Sequence, residues 1–318
     1  MSGLKIIVAG AGLGGRAAAS NQMKVGHDVT IFEQAPELSE VGAGIQLSAN
    51  AMHVLNHIGL GEAITKVSVK PGAYVFRTYD TGDEIHRFSL SDEHEKLHGA
   101  PYHQLHRANL HDLLAAAARD LKSDVVRLNH TAVGYEERDD EVELFFSDGS
   151  SATGDMLIGA DGLKSVVRHK IAGDVSATYT GDAAWRITVP ADRLPIDFMG
   201  QVMSVSMGPG SHSVCYYLRG GEMFNFVGCI ETDDVSEESW TAKFPWEKLQ
   251  SDFVRWHDDI QTVIKLADKD QYFRWSLHTR PAIPTWNTKR VTLLGIRRIP
   301  PCPIWPRARS WRSKTAPC

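Results

Sequence analysis

Ile6-Ile7-Val8-Ala9, then Gly10-Ala11-Gly12-Leu13-Gly14-Gly15, and further on Val29-Thr30-Ile31-Phe32-Glu33 decide the fold of this chain. An apolar run, a glycine turn, a helix and a second apolar strand ending in an acid about 20 residues on make the βαβ pattern that binds a dinucleotide. Gly10 lets the strand turn sharply, Gly12 lets backbone approach a pyrophosphate, and Gly15 lets helix and strand come close. Ala19 and Gly26 are small where the helix should lie on the sheet. Leu13 and Gly14 open that helix, whose unpaired N–H groups and dipole favour negative charge. Glu33 accepts the hydrogen bonds of an adenosine ribose and argues against a phosphate on it. Arg16, Asn21 and Gln22 interrupt the face that should be apolar, so they are expected either to face solvent or to leave the helix poorly buried.

At 318 residues the chain exceeds one ordinary core, which predicts one large or two medium domains. Hydrophobic residues make up 42% and charged residues 23%, a globular composition, and the net charge of −5 gives no basic field for nucleic acid. No uncharged apolar stretch reaches the roughly 18 residues of a membrane span. The segment 4–15 has no basic flank and its glycines already have a use, so it is not read as a signal. A cytoplasmic protein without membrane partners is expected. Cys215, Cys229, Cys302 and Cys318 are too few and too scattered for a disulfide framework or a zinc site. The scattered His27, His53, His57, His94, His98 and His103 form no convincing metal-ligand grouping.

Residues 35–48 read as a glycine-containing loop, and a helix follows over about 50–60. Strands at 74–79 and 84–88 flank Thr81-Gly82-Asp83 and predict a hairpin. The stretch 107–121 is a helix with Leu110, Leu113, Leu114 and Ala117 on one face, which sets Arg107 at its start. Two or three short strands occupy 125–146. The apolar strand 156–159 then runs into Asp161-Gly162 and a helix, putting an acid where open α/β sheets bind ligands; the plainer reading makes Asp161 a helix cap. Short strands at 185–189, 201–207, 213–218 and 223–229, then a helix over 247–267, suggest an inserted β-rich domain. Residues 290–295, Arg-Val-Thr-Leu-Leu-Gly, return a strand to the first sheet.

These separated motifs resemble the single-component FAD-dependent aromatic hydroxylases, the group of salicylate, 3-hydroxybenzoate and 6-hydroxynicotinate hydroxylases. The likeness spans about residues 4–295. It comprises the glycine turn with Glu33, V-G-A-G-I-Q-L at 41–47, H-R-x-x-L at 106–110, D-G-x-x-S-x-x-R at 161–168 and R-V-T-L-L-G. The resemblance implies a Rossmann-like α/β FAD-binding domain (1–178 plus 276–295), with a β-rich substrate domain (179–275) inserted into it. It implies FAD at Gly10, Gly12, Leu13, Gly14, Gly15, Glu33, Gln34, Gln46 and Arg107, with the Asp161-Gly162 turn serving both FAD and NAD(P)H. It further implies monooxygenation of a small aromatic acid with NAD(P)H and O2, a transiently bound nicotinamide coenzyme, and a homodimer as one possible assembly.

A base near the substrate hydroxyl would help, because a phenolate is the better nucleophile. His212 and Tyr216, four apart in a strand, share a face and resemble the His/Tyr pair of the hydroxynicotinate branch; the plainer alternative is two side chains satisfied inside a sheet. Trp185 and Arg186 are weaker candidates for a wall and an acid clamp.

Residues 296–318 depart from the family pattern D-A-x-H-P-x-x-P-x-M-A-Q-G-A. Restoring one base after the Gly295 codon allows D-P-P-H-P-A-M-P and then M-A-Q-G-A, so an out-of-frame, disordered tail is expected, the alternative being a truly divergent C-terminus. A catalytically impaired flavoprotein fragment is therefore the alternative to an active hydroxylase. DNA sequence across the Gly295 codon separates these.

Overall fold

The computed structural model describes residues 3–38, 44–174, 176–234 and 244–295; the expectation for residues 296–318 lies outside these. In chain order the first half runs β1 (Lys5–Ala9), α1 (Leu13–Lys24), β2 (Asp28–Phe32), β3 (Gly44–Leu47), α2 (Ala49–His57), α3 (Gly61–Val67), β4 (Ala73–Thr78), β5 (Glu84–Ser89), α4 (Asp92–His98), β6 (His103–His106) and α5 (Arg107–Leu121). Next come β7 (Val126–Arg127), β8 (Ala132–Glu137), β9 (Val142–Phe146), β10 (Ser151–Gly154), β11 (Met156–Gly159) and α6 (Val166–Ala172). The remainder is β12 (Thr178–Pro190), β13 (Met203–Gly208), β14 (Ser211–Leu218), β15 (Met223–Glu231), α7 (Trp246–Asp252), α8 (Asp258–Leu266), β16 (Tyr272–Thr279) and β17 (Val291–Leu293).

The strand order β17-β11-β1-β2-β7 makes a five-stranded sheet whose pairs are all parallel. A parallel strand buried on both faces reads as a continuous apolar run, and Ile6 to Ala9 are all buried. Ile6, Val8, Val29 and Ile31 pack with Ala19 of α1 and Ala118 of α5. Ile7, Ala9, Leu157, Val291 and Leu293 pack on the opposite face with Val142, Leu144 and Phe146 of the three-stranded β10-β9-β8 sheet and with Val167 of α6. Each fully buried Ile or Val in these layers contributes roughly 2 kcal/mol.

The βαβ expectation holds, with two changes of detail. Arg16 is fully buried, neither facing solvent nor loosening the helix, because its Nη1 donates to the His111 carbonyl of α5 at 2.9 Å. Gly26 does not make close helix–sheet packing possible: it has φ +93°, open space around its Cβ position, and ends the turn after α1.

A second sheet, β16-β12-β15-β14-β13-β4-β5, has seven strands. It takes in β4 and β5, from before residue 178, beside the strands that follow. The hairpin predicted from strands at 74–79 and 84–88 is present as β4–β5, and β4 also pairs in parallel with β13, Tyr74 opposite Met203 and Phe76 opposite Val205. The expected helix over 247–267 is two helices, with residues 253–257 between them; the His257 side chain caps the second by accepting from Asp259 N. Trp185, Ile187, Phe224, Phe226 and Cys215 pack on this side of the sheet against Leu249, Phe253, Ile260 and Val263.

Because side chains alternate along a strand, the paired registers fix the other face. On it lie Arg186 of β12, Asn225 and Val227 of β15, His212, Val214 and Tyr216 of β14, and Met203 and Val205 of β13. The segment expected as a loop over 35–48 ends in a strand: β3 pairs antiparallel with β6, Gln46 opposite Gln104 and Gly44 opposite His106. This small ribbon is where the two halves of the site meet.

Candidate active site

At the glycine turn the three glycines prove unequal. Gly10 has φ +102°, and a Cβ there would overlap the Ala160 carbonyl; a Cβ on Gly15 would overlap the Gly10 carbonyl. Both are required by the polypeptide itself. Gly12 has φ −63°, is exposed, and a Cβ on it would meet nothing within 4 Å. The helix it introduces has no side-chain cap and no acid in its first turn. Open space before an uncapped 12-residue helix is what a pyrophosphate needs, so the residues present fit a dinucleotide cofactor.

Leu13 is half-buried and Gly14 exposed beside that space. Glu33, half-buried at the end of β2, accepts from Ala11 N at 2.7 Å and from Ala35 N at 3.0 Å. These bonds fix the carboxylate at the turn, and each oxygen retains a lone pair for a further donor. Gln34 is exposed next to it. On β11's far end Asp161 accepts from Ser165 Oγ at 2.6 Å and Val167 N at 3.2 Å, while Gly162 takes φ +82°. Asp161 therefore braces the turn entering α6, whose N-cap is Ser165.

Arg107 is the first residue of α5 and half-buried. His106 caps the helix, its Nδ1 accepting from Ala108 N at 3.2 Å. Burial, then the charges of Arg219 and Arg186, hold the His106 pKa below its ordinary value.

Tyr216 is buried, and its ring lies directly against Gly44 of β3, where any Cβ would overlap its hydroxyl. Asn225, beside it on β15, accepts from Gly44 N at 3.3 Å. The Gln46 side chain hydrogen-bonds Tyr216, and Gln46 Oε1 also accepts from the Tyr102 hydroxyl at 3.0 Å. Burial pushes the Tyr216 pKa up to about 12, against the opposing pull of Arg186 and Gln46. Tyr216 is thus a neutral phenol that both donates and accepts at neutral pH.

His212 lies on the same face of β14 but four residues away, a separation of about 13 Å along a strand. Its row holds Met207 and Cys229, and burial lowers its pKa despite the opposing effect of Asp182. It is therefore a neutral imidazole at pH 7. The structure brings Tyr216 to Gln46 and sets His212 at the other end of the same face. Trp185, the suggested wall, points away from it, into the helix-covered core, with Nε1 donating to Asp252 Oδ2 at 2.8 Å. Arg186 faces the site.

The glycines of the 35–48 loop were expected to admit something flat or charged, and Gly44 admits the Tyr216 ring; Tyr102, Gln104 and Asn225 were missed by sequence reasoning. Gln104 and Asn225 are fully buried amides, and both polar atoms of Gln104 and Nδ2 of Asn225 lack partners among the described residues. The signal for Asn225 was a polar residue within the largely apolar β15, informative only once that strand is known to be buried, while Gln104, within His-Gln-Leu-His, carried no such signal.

A parallel dinucleotide sheet, joined through the β3–β6 ribbon to a large sheet that presents tyrosine, histidine and arginine, defines a FAD-dependent oxidoreductase of the aromatic-hydroxylase architecture. The chain belongs to the family described as FAD binding domain, whose model matches residues 4–301. It is 37% identical over 300 residues to the 3-amino-4-hydroxybenzoate 2-monooxygenase of Streptomyces cremeus, covering 94% of this chain and 73% of the relative. It is 35% identical over 290 residues to the 3-hydroxybenzoate 6-hydroxylase 1 of Aquipseudomonas alcaligenes, covering 91% and 73%. Among solved structures, HpxO of Klebsiella pneumoniae complexed with FAD and uric acid matches with a TM-score of 0.82 and 26% identity, over 94% of this chain and 74% of that one. FAD is the cofactor, and NAD(P)H fits as the co-substrate used in this family. No described helix is long and apolar enough to cross a membrane.

Proposed function

We propose that this chain is a monooxygenase that hydroxylates a small hydroxylated aromatic acid, of the hydroxybenzoate or hydroxynicotinate type, using NAD(P)H and O2. The carrying observation is the contact of Tyr216 with Gly44, which sets a neutral phenol on the seam between the dinucleotide-binding elements and the large sheet. In this reading the open turn at Gly12, Leu13 and Gly14 holds the FAD pyrophosphate, Gly10 and Gly15 shape it, and Glu33 with Gln34 receives the adenosine ribose. Gln46, Arg107 and the Asp161-Gly162 turn serve the remainder of the cofactor. Bound FAD supplies acceptance of hydride from NAD(P)H and activation of O2.

The protein's own part is orientation and proton management. Tyr216 Oη hydrogen-bonds the substrate ring hydroxyl or its neighbour, and His212, neutral at pH 7, accepts the hydroxyl proton on an imidazole nitrogen. With about 13 Å between their Cα atoms, a single ring lies between the two side chains rather than beneath both. A fully buried tyrosine at the seam supports this reading because its hydroxyl keeps acceptor capacity beyond its partner Gln46. The reading carries a cytoplasmic location, where NAD(P)H is available, and a homodimer, checked by sedimentation.

The deciding experiment is NADH and NADPH oxidation by the FAD-loaded chain with 3-hydroxybenzoate, 6-hydroxynicotinate and salicylate, coupled to chromatographic detection of the hydroxylated ring. Substrate-stimulated oxidation with a dihydroxylated product is expected. Retained flavin with no stimulation by any of these acids would favour the impaired-flavoprotein alternative.

A further inference from the structure

Arg186 stands out among the charged groups of the site. Its guanidinium carbon lies over the Trp275 ring, 4.6 Å from the centroid, so the indole face holds the group in place. Nε is buried without a hydrogen-bond partner, and Arg186 makes no hydrogen bond or ion pair with any described residue. Removing a guanidinium from water without a partner is costly, so such a group is normally paired with an anion. Here the neighbouring charges have the wrong sign.

The groups that act on Arg186 are Tyr216, Arg107 and Cys229, none of them a carboxylate. Arg219 and His106 lie on the same side, both Arg186 and Arg219 acting on the His106 ring. The acidic group acting within the site is at the far end, where Asp182 acts on His212. The registers give the position: Arg186 lies opposite Val227, which lies opposite Val214, the residue midway between His212 and Tyr216 on β14. A ring held between those two side chains therefore has beside it a guanidinium with no anionic partner among the described residues.

We propose that Arg186 binds the carboxylate of the aromatic substrate and is the residue that selects an anionic ring over a neutral one of the same shape. The proposal rests on the hydroxylase reading above, which already makes the substrate an acid, and adds the group that reads its charge. A planar fork held over an indole can make two parallel N–H···O bonds to a carboxylate. A primary amide offers one acceptor oxygen and an NH2 that meets the guanidinium donor to donor, so it cannot replace the carboxylate.

The test is a titration of the FAD-loaded full chain with 3-hydroxybenzoate and with 3-hydroxybenzamide, followed by the change in flavin absorbance and by calorimetry. The wild type should bind the acid at least about 30-fold more tightly than the amide, as expected for a charge-assisted pair with a partly buried partner. In Arg186→Gln that ratio should fall to within about 3-fold of one, with FAD affinity unchanged; Arg186→Lys should keep part of the preference because it keeps the charge and loses the fork. Equal wild-type affinity for acid and amide overturns the proposal and leaves the hydroxylase reading standing, and this arm needs no variant to fold. A variant that loses FAD while retaining the acid preference also overturns it, because the guanidinium would then serve the cofactor. Binding of neither compound by a wild type that holds FAD overturns the proposal together with this substrate class.

Discussion

Replacing Gly12 by alanine separates what the polypeptide needs from what its cofactor needs. The added Cβ meets no atom within 4 Å, and φ is −63° with ψ 178°, a conformation open to any L-residue. The only cost to the apoprotein is exchange of glycine for alanine at a helix N-cap, about 0.5 kcal/mol. With FAD bound as proposed, the same methyl would stand where the pyrophosphate approaches the backbone. An overpacked contact costs roughly 1–3 kcal/mol, which corresponds to about a 5- to 150-fold weaker FAD. Gly15→Ala is the contrasting case, because its Cβ would overlap the Gly10 carbonyl and lie 3.2 Å from the Ala160 Cβ. Backbone cannot rotate aside, so this apoprotein should lose at least about 2 kcal/mol. Urea unfolding of the apoproteins and quenching of flavin fluorescence on titration measure the two quantities. Wild-type FAD affinity in Gly12→Ala would show that the phosphates do not lie at this turn, and a loss of several kcal/mol in its apoprotein would show that the glycine has a structural duty.

Three further outcomes follow from the site and its surroundings. Gly44→Ala would force a buried Tyr216 ring to move; about 1–3 kcal/mol of stability and a raised KM are expected, and a thermal melt and KM both equal to wild type would refute the contact as the seam of the site. Because burial lowers the His212 pKa below its ordinary 6.5, the base form is present at neutral pH, and kcat/KM should decline as acid is added through that lowered pKa. His212→Asn should remove this acid limb and lower kcat by about 10²–10⁴-fold; an unchanged pH profile would exclude His212 as the base. His103, fully buried with Nδ1 2.7 Å from Ser68 Oγ, has its pKa pushed down to about 4 by burial and then by Lys70. The unfolded chain takes up this proton first, so the stabilisation is complete above pH 6.5 and is lost as pH falls toward 4, up to about 3 kcal/mol. Denaturant unfolding of His103→Gln should show that much less loss between pH 7 and pH 4, and an identical loss would refute the assignment.

Much of the dinucleotide half was legible because its code is local. The apolar run of β1, the positive φ demanded at Gly10 and the acid after β2 lie within about 30 residues of one another. Helix Arg107–Leu121 and the β4–β5 hairpin followed from periodicity and turn chemistry in the same way. What was not legible depends on partners far away in sequence. The fate of Arg16 is decided by a carbonyl 95 residues on, and β4 joins the large sheet because β13, more than 120 residues later, pairs with it in parallel. Residues 253–257 break a periodic apolar pattern because His257 caps a new helix there.

The substrate face shows the same division most clearly. Strand alternation puts His212 and Tyr216 on one side and Trp185 and Arg186 on opposite sides, but a period of two does not say which side is covered by helices. Packing of α7 and α8 decides it, taking Trp185 into the core and leaving Arg186 beside Tyr216 without a counter-ion among the described residues. Local sequence was enough for a dinucleotide turn and a Rossmann-like domain, since glycine conformation and hydrophobic period act over a few residues, whereas the ring-hydroxylating reading came from the resemblance of separated motifs to a family. Only the tertiary structure decided that Gly44 admits Tyr216 to the seam, that Gln104 and Asn225 are buried there, and that Arg186 faces the site, because each of these depends on distant strands burying one particular face against another.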